Sequence, residues 1–253
     1  MIHKAKHLKI LTLVALCGPA ASVLSVAGTD IPFDARYDVL VDGKTKMETR
    51  ISLENEGGLW TMKSTSKGTR GIAKFLKVKS SESSSGEWRD GRFRPVEFSH
   101  HGKVAGKDDL WSARFDWQEQ KVSTTHEDGN SVLPLGNNTH DPVTLTLAIR
   151  DLLQQDHGDM DLRVVDEGEI DQHRYSPSAA VTLDTALGCF RSTPVKRVRE
   201  NSQRYSTGWY AEALEFIPVR IIHGKKGGKE FELRIRSLVL DGKEIEGPGD
   251  CAP

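Results

Sequence analysis

Residues 33–53 read FDARYDVLVDGKTKMETRISL, and this stretch contains the pattern that decides the fold. Apolar and polar side chains alternate on both sides of Asp42-Gly43, a dipeptide typical of tight β-hairpin turns. The predicted inner faces of the two strands carry Phe33, Ala35, Tyr37, Val39 and Val41, and then Met47, Thr49, Ile51 and Leu53. Because successive side chains of a strand point to opposite faces, the segment predicts an antiparallel pair with one buried face.

The same alternation recurs in residues 111–117 and 231–236, and turn signals such as Asp128-Gly129 and Asp241-Gly242 separate the apolar runs at short intervals. This spacing is typical of sandwiches and barrels and disfavours a parallel α/β fold. We therefore expect a mainly β protein with a curved antiparallel sheet or a partly open β-barrel.

One segment has a helical period instead. Its apolar stripe consists of Leu145, Ala148, Ile149, Leu152 and Leu153, and the remaining arc carries Thr144, Thr146, Arg150, Asp151 and Gln154. Asp141 is placed to cap this helix, and Pro142 fits its first turn. A lone helix with one apolar face must bury that face on the sheet, so we expect one amphipathic helix packed on the concave side.

The charge balance limits the partners. The 253 residues include 35 basic and 36 acidic side chains, and this balance gives no excess of positive charge for neutralising phosphates. Nucleic acid is therefore not an expected partner. The possible partners left open are a lipid or an envelope protein.

The first 27 residues have the features of a cleavable signal peptide. Three lysines precede an apolar run that begins at Ile10, and small residues end at Ala27, after which we expect cleavage. The alternatives are an uncleaved anchor, for which the apolar stretch is short and interrupted, and a lipoprotein at Cys17, for which Leu16 is too large. Residues 28–253 are then expected to form a single β-rich domain without a transmembrane span.

Two cysteines, Cys189 and Cys251, remain after cleavage. In an oxidising compartment an even number of cysteines can pair, so we expect a disulfide between them rather than two free thiols. Nothing near Cys189 in the sequence would lower the pKa of its thiol, which disfavours a catalytic cysteine.

The order of several short motifs resembles an exported family, the domain of unknown function 3108 (DUF3108). The motifs are Tyr37 with Asp42-Gly43, residues 91–95 (GRFRP), Asp141-Pro142 with Leu147 and Arg150, residues 188–190 (GCF), Trp209, and residues 217–220 (IPVR). The resemblance implies a β-rich periplasmic protein of Gram-negative bacteria without an established activity.

Known catalytic and metal-binding motifs are missing from the sequence. His126 lacks the second histidine of a zinc protease motif, and His100 and His101 are adjacent on a predicted strand and so point to opposite faces. The sequence therefore predicts no metal, no cofactor and no catalytic residue. A histidine or carboxylate site assembled from separate loops, for example from His126, His140 and Asp141, stays open as an alternative.

Large apolar residues near the helix and the C-terminal strands indicate a possible ligand groove. The candidate groove residues are Leu145, Ile149, Leu152, Trp209, Tyr210 and Phe216. Three hypotheses follow: a non-catalytic envelope protein that binds a lipid-like ligand or a protein partner in an apolar groove, a periplasmic hydrolase of envelope polysaccharide or peptide, and a structural partner in an envelope complex.

Overall fold

The structure is a computed structural model, and it describes residues 31–89, 92–200, 202–247 and 251. The expected signal peptide, residues 1–27, lies outside the described residues. The described residues contain two α-helices, α1 (Gly71–Phe75) and α2 (Thr144–Gln154), together with a 3-10 turn at Glu212–Leu214.

In the part of the chain that the structure describes, seventeen strands form one large sheet. The first eight are β1 (Phe33–Val41), β2 (Lys44–Glu56), β3 (Leu59–Gly68), β4 (Lys79–Arg89), β5 (Arg92–Val104), β6 (Lys107–Asp116), β7 (Lys121–His126) and β8 (Gly129–Pro134). The other nine are β9 (Thr139–His140), β10 (Met160–Asp166), β11 (Glu169–Pro177), β12 (Val181–Thr185), β13 (Gly188–Val198), β14 (Arg204–Ala211), β15 (Ile217–Lys225), β16 (Glu230–Leu240) and β17 (Lys243–Glu244).

Each strand from β1 to β7 pairs antiparallel with the next, in line with the antiparallel sheet expected from the sequence. Strand β1 also pairs with β16, and this pairing joins the N-terminal meander to the C-terminal one. From β16 the pairing runs back through β15, β14, β13, β11 and β10 to β9. The β9–β10 pairing is parallel, so the sheet is mixed rather than wholly antiparallel.

The two ends of the sheet lie next to each other. Arg163 of β10 donates through Nη2 to the carbonyl of Pro134 at the end of β8 (3.1 Å) and through its backbone N–H to the carbonyl of Asn138 (2.9 Å). Across the part of the chain that the structure describes, no ladder of backbone hydrogen bonds joins β8 to β9, β10 or β11. The sheet is therefore curled like a barrel but not closed into one.

The larger of the two apolar cores in the described residues, which we call the main core, contains residues of the inner faces predicted from the first hairpin. Phe33, Ala35, Tyr37 and Leu53 are buried there, and the Tyr37 hydroxyl donates to the carbonyl of Pro218 (2.9 Å). This long-range bond ties β1 to β15. A mainly β fold is thus confirmed.

The expectation of a single helix is wrong in number, because α1 forms between β3 and β4. Its five residues are too few to show a helical period in the sequence. Among the residues described, neither helix has the length and apolar character needed to cross a lipid bilayer.

Candidate functional site

Asp141 fixes the start of α2. Its side chain is fully buried, and its Oδ1 accepts the backbone N–H groups of Val143 and Thr144 (2.9 Å each). The Ser84 hydroxyl donates to the other carboxylate oxygen at 2.6 Å, which ties the helix start to β4. Burial raises the pKa of Asp141 to about 6, against the opposing effect of these hydrogen bonds. Asp141 therefore caps the helix, as its position predicts, and is not available to a substrate.

The helix is buried on more sides than its apolar stripe predicts. Leu147, Arg150 and Asp151 are buried together with Ala148 and Ile149, while Leu145, Leu152 and Leu153 are only partly buried. The sequence pattern placed Arg150 and Asp151 on a polar arc away from the core, and this prediction is wrong. The reason is that strands pack against α2 from two sides, so the helix contributes to two separate apolar clusters.

Arg150 lies inside the protein. Its Nε donates to the carbonyl of Glu215 (2.9 Å), and its guanidinium lies 5.3 Å from the ring centre of Phe33. Burial lowers the pKa of Arg150 to about 10. This cation stabilises the contact between α2 and the 3-10 turn rather than lining the cavity described below.

Five of the six predicted groove residues come together. Ile149 and Tyr210 are buried in one cluster, and Leu145, Leu152 and Phe216 pack against it. The other buried members are Ala148, Met160, Leu162, Tyr175 and Val195, and we call the whole set the helix cluster. Trp209 lies elsewhere: it packs on the main core, with the Arg220 guanidinium 4.9 Å from its ring centre.

A cavity of about 80 Å³ adjoins the helix cluster, and we call it the helix cavity. It is lined by Arg92, Phe93, Arg94, Trp117, Asn137, Asn138, Thr139, His140, Ala148, Asp151, Leu152, Gln155 and Leu162. Its wall is thus apolar on the helix-cluster side and bears two arginines from β5. Among the predicted groove residues, Leu152 is the one that lines it.

Two ionisable side chains in this wall have shifted pKa values. Burial lowers the pKa of His140 to about 4, with a smaller effect from the charge of Arg92. Burial raises the pKa of Asp151 to about 6, although Arg150 and Arg92 oppose the shift. The Nδ1 atom of His140 is buried and has no hydrogen-bond partner in the described structure. His140 is therefore a neutral imidazole at pH 7 with a buried nitrogen that lacks a hydrogen-bond partner in the described structure.

A row of polar residues crosses four strands on the same side of the sheet as the helix cluster. Tyr175 pairs with Arg197, and Ser206 pairs with His223. The pairing of Lys196 with Thr207 places Arg197 beside Ser206, the next pair along. His173 lies two residues before Tyr175 on β11 and so shares this face. Arg199 follows the end of β13 and lies close enough to Arg197 and Tyr175 for their charges to interact. We call His173, Tyr175, Arg197, Arg199, Ser206 and His223 the basic row.

The basic row and the helix cavity are neighbours. Leu162, which lines the cavity, is the cross-strand partner of His173. Tyr175 belongs both to the helix cluster and to the basic row, and Arg197 follows Val195 of the helix cluster by two residues. One face of the sheet therefore passes from apolar to cationic over a few residues.

The positive charge of the basic row is poorly compensated. Nε of Arg197 and Nη1 of Arg199 are buried and have no hydrogen-bond partner among the described residues. Among the described residues, the ion pair found for the arginines of this row is between Arg197 Nη2 and Asp171, at 4.0 Å, and the Asp171 side chain is half-exposed. Burial and the charge of Arg197 lower the pKa of Arg199. The two guanidinium groups thus repel each other.

The two histidines of the row are affected by the same arginines. Burial, followed by the charge of Arg197, lowers the pKa of His173 to about 4, and Asp171 opposes this shift. The pKa of His223 is also lowered, by the protein packed around its ring and by Arg199 and Arg197, although part of the side chain is exposed to solvent. Both rings are therefore neutral at pH 7.

Ser206 and His223 do not form the catalytic pair that the hydrolase hypothesis would need. Ser206 and His223 are in hydrogen-bond contact (Oγ to Nδ1, 2.7 Å), but the charges acting on His223 are cations. A serine nucleophile needs a histidine whose protonated form is stabilised, normally by a carboxylate. Of the three residues considered from the sequence, Asp141 is a fully buried cap, His140 lines the helix cavity, and His126 lies at the end of β7, next to the β10–β11 turn at Gly168.

Cys189 and Cys251 form a disulfide bond. Asp184 lies close to the two sulfur atoms, and these three residues are the one group in the described part of the chain that could hold a metal ion by proximity. Because the disulfide removes both thiolates, the group does not have the ligand chemistry of a metal site.

The sequence alone did not indicate the basic row. Five of its residues lie on β11, β13, β14 and β15, Arg199 follows the end of β13, and only the strand register brings them together. The arginines of the helix cavity, Arg92 and Arg94, belong to the GRFRP motif, which the sequence offered only as part of a family resemblance.

The family model described as "Protein of unknown function (DUF3108)" matches residues 32–234, which is most of the chain. The chain belongs to the DUF3108 family. This confirms the resemblance seen in the sequence. No curated protein matches this DUF3108 chain.

Solved structures that match this DUF3108 protein share little sequence with it. A β-barrel-like protein of the DUF1849 family from Brucella abortus is 8% identical, with a TM-score of 0.54 over 83% of this chain and 98% of the other. A protein from Parabacteroides distasonis is 9% identical, with a TM-score of 0.36 over 84% and 96% of the two chains. A protein with a YmcC-like fold from Bacteroides fragilis is 10% identical, with a TM-score of 0.31 over 80% and 94%. At these identities the first similarity shows the fold alone.

Proposed function

We propose that this DUF3108 protein is a non-catalytic, exported protein of the Gram-negative periplasm that binds an amphiphilic, lipid-like ligand with an anionic group. The apolar end of the ligand would enter the helix cavity, and the anionic group would contact the basic row. The observation that carries the proposal is the proximity, on one face of one sheet, of a cavity with one apolar side to guanidinium nitrogens without hydrogen-bond partners: Leu162 of the cavity is the cross-strand partner of His173 in the basic row.

The apolar part of the proposal depends on the size and wall of the helix cavity. Ala148, Leu152 and Leu162 give it an apolar side. Its volume of about 80 Å³ corresponds to roughly three water-sized groups. The cavity thus suits the end of an apolar chain, and the partly exposed Leu145 and Leu153 offer further apolar surface outside it.

The anionic part depends on the electrostatics of the basic row. A buried polar nitrogen without a hydrogen bond is costly, and two neighbouring guanidinium groups with one weak carboxylate neighbour raise that cost. An anion such as a phosphate or carboxylate would provide acceptors for Arg197 Nε and Arg199 Nη1 and would remove their repulsion. The hydroxyl groups of Tyr175 and Ser206, which contact Nδ1 of His173 and of His223, can donate to the same anion when those imidazoles carry the Nδ1 proton.

Export to the periplasm is supported by the sequence of residues 1–27 and by the Cys189–Cys251 disulfide. Disulfides persist in oxidising compartments and are rare in the cytosol. In this proposal residues 28–253 form the single mature domain, and α2 covers the concave side of the curled sheet.

The direct test starts with native mass spectrometry of protein purified from the periplasm. Adducts with lipid-like masses are expected, and a clean apo mass even after gentle purification would contradict the proposal. The delipidated protein is then titrated calorimetrically with dodecyl phosphate, below its micelle concentration, with inorganic phosphate and with dodecanol. We expect dodecyl phosphate to bind at least tenfold more tightly than either fragment.

A matched pair of variants locates the site. R197Q and R199Q should each weaken dodecyl phosphate binding about tenfold, because each removes a charge-assisted hydrogen bond. R174Q is the control, because Arg174 lies on β11 next to His173, is exposed and is already paired with Asp161. Equal loss in all three variants, or no loss in R197Q and R199Q, would overturn the assignment. Binding of inorganic phosphate as tightly as dodecyl phosphate would show a simple anion site instead of a lipid-like one.

A further inference from the structure

Helix α1 exposes large apolar side chains at one end of the sheet. Ile72 is 71% exposed and Phe75 is 82% exposed, and no residue of α1 is buried. Val104, on the neighbouring strand β5, is also exposed. Single exposed apolar residues are common, but two on one short helix form a patch that water solvates poorly.

This helix is held in place by backbone hydrogen bonds. The N–H groups of Thr69 and Arg70 donate to the carbonyl of Lys46, and the N–H of Ala105, in the β5–β6 turn, donates to the carbonyl of Leu76. Gly68 touches the backbone of Ala73 so closely that a Cβ there would overlap it. The apolar side chains are thus presented by a fixed structure.

The surroundings of the two apolar side chains are strongly basic. Residues 70–79 read RGIAKFLKVK, with four basic residues and no acidic one. Lys77, Lys79 and Lys103 line one surface depression together with Phe75. Lys103 is paired with Asp108, whereas no ion pair is found for Arg70, Lys74, Lys77 or Lys79 in the described residues. Most of this positive charge is therefore uncompensated within the protein.

We propose that residues 70–79 form a membrane-docking tip that binds the surface of a bilayer containing anionic lipids. Ile72 and Phe75 enter the boundary between headgroups and acyl chains, and the lysines contact lipid phosphates while their aliphatic stems lie along the apolar surface. Charge complementarity favours this partner, because unpaired cations surround a small apolar tip and anionic lipid headgroups carry the opposite charge. The tip shares no residue with the helix cavity or the basic row.

The test is co-sedimentation of the full-length mature protein with vesicles. Vesicles of phosphatidylglycerol and phosphatidylethanolamine should bind the protein, vesicles of phosphatidylcholine should bind it at least tenfold more weakly, and high salt should reduce binding. The variants are I72S/F75S and K74Q/K77Q/K79Q, each expected to lower the partition coefficient about tenfold or more. The matched control is L59S/V132S, which removes two exposed apolar side chains from other strands.

Thermal unfolding checks that the variants are folded, and their side chains are exposed enough that the Tm should be unchanged. Equal binding of wild type and I72S/F75S, or equal binding to both kinds of vesicle, would overturn the proposal. Wild-type self-association that I72S/F75S abolishes, without any vesicle binding, would assign the patch to a second copy of the chain instead. Because R197Q and R199Q leave the tip intact, their vesicle binding should equal that of wild type even if they no longer bind dodecyl phosphate.

Discussion

Asp151 should make the protein less stable at neutral pH than in mild acid. Its carboxyl group is buried in the wall of the helix cavity, and burial raises its pKa from 3.8 in the unfolded chain to about 6 in the folded protein. Between these two pKa values the folded state holds a proton that the unfolded state has lost. The free energy of unfolding therefore falls as the pH rises from about 4 to about 6.

The size of the effect follows from the shift. Two pKa units at about 1.4 kcal/mol each correspond to roughly 3 kcal/mol. D151N keeps the shape of the side chain and removes its charge. At pH 7 it should therefore unfold at a higher urea concentration than wild type, with a free energy of unfolding larger by up to roughly 3 kcal/mol. Below pH 4 the free energies of unfolding of the two proteins should differ only by a constant offset. Asp141 has a pKa shift in the same direction, so part of the pH dependence should remain in D151N.

Urea unfolding at several pH values from 3.5 to 8 measures this difference. D161N is the control, because Asp161 is exposed, and the hydrogen bond and charge of Arg174 lower its pKa, so that variant should not gain stability at pH 7. A D151N curve parallel to that of wild type at all pH values would refute the reasoning, as would a loss of stability at pH 7. A gain in stability for D151N at pH 7 would also be consistent with a carboxylate that is kept at a binding cavity although it destabilises the fold.

Two further changes test the fold. C189S should lower the stability of the oxidised protein by roughly 4 kcal/mol, because the Cys189–Cys251 bond closes a loop of about 60 residues. Thermal unfolding with and without reductant measures this loss, and reductant should not lower the Tm of the variant. G86A should be destabilised by about 1–3 kcal/mol, because a Cβ at Gly86 would overlap the carbonyl of Arg94 and come within 2.6 Å of the Trp60 ring. If G86A is as stable as wild type, β4 and β5 are not packed as described.

The parts of the fold that the sequence predicted are those set by local patterns. Alternation in residues 33–53 predicted β1, β2 and the turn between them, because strand period and turn chemistry act over a few residues. Asp141 was recognised as a helix cap for the same reason. Helix α1 was missed because five residues are too short for a period, and the parallel β9–β10 contact was missed because two-residue strands leave no pattern.

The site depends on long-range geometry, and most of it could not be predicted. Leu152 was found from its place on an apolar helix stripe, but the burial of Arg150 and Asp151 depends on strands that approach α2 from two directions. Trp209 was expected with Tyr210 at the groove, although neighbours on a strand point to opposite faces. The basic row requires the register of four strands, which apolar patterns in one sequence do not specify.

The central claim is that the basic row receives an anionic group of a lipid-like ligand. The most direct measurement is an NMR pH titration of the imidazole resonances of His173 and His223, with and without dodecyl phosphate. Because a bound anion would offset the charges of Arg197 and Arg199, we predict that both pKa values rise on binding, that of His173 from about 4. Binding that leaves both titration curves unchanged would contradict the claim.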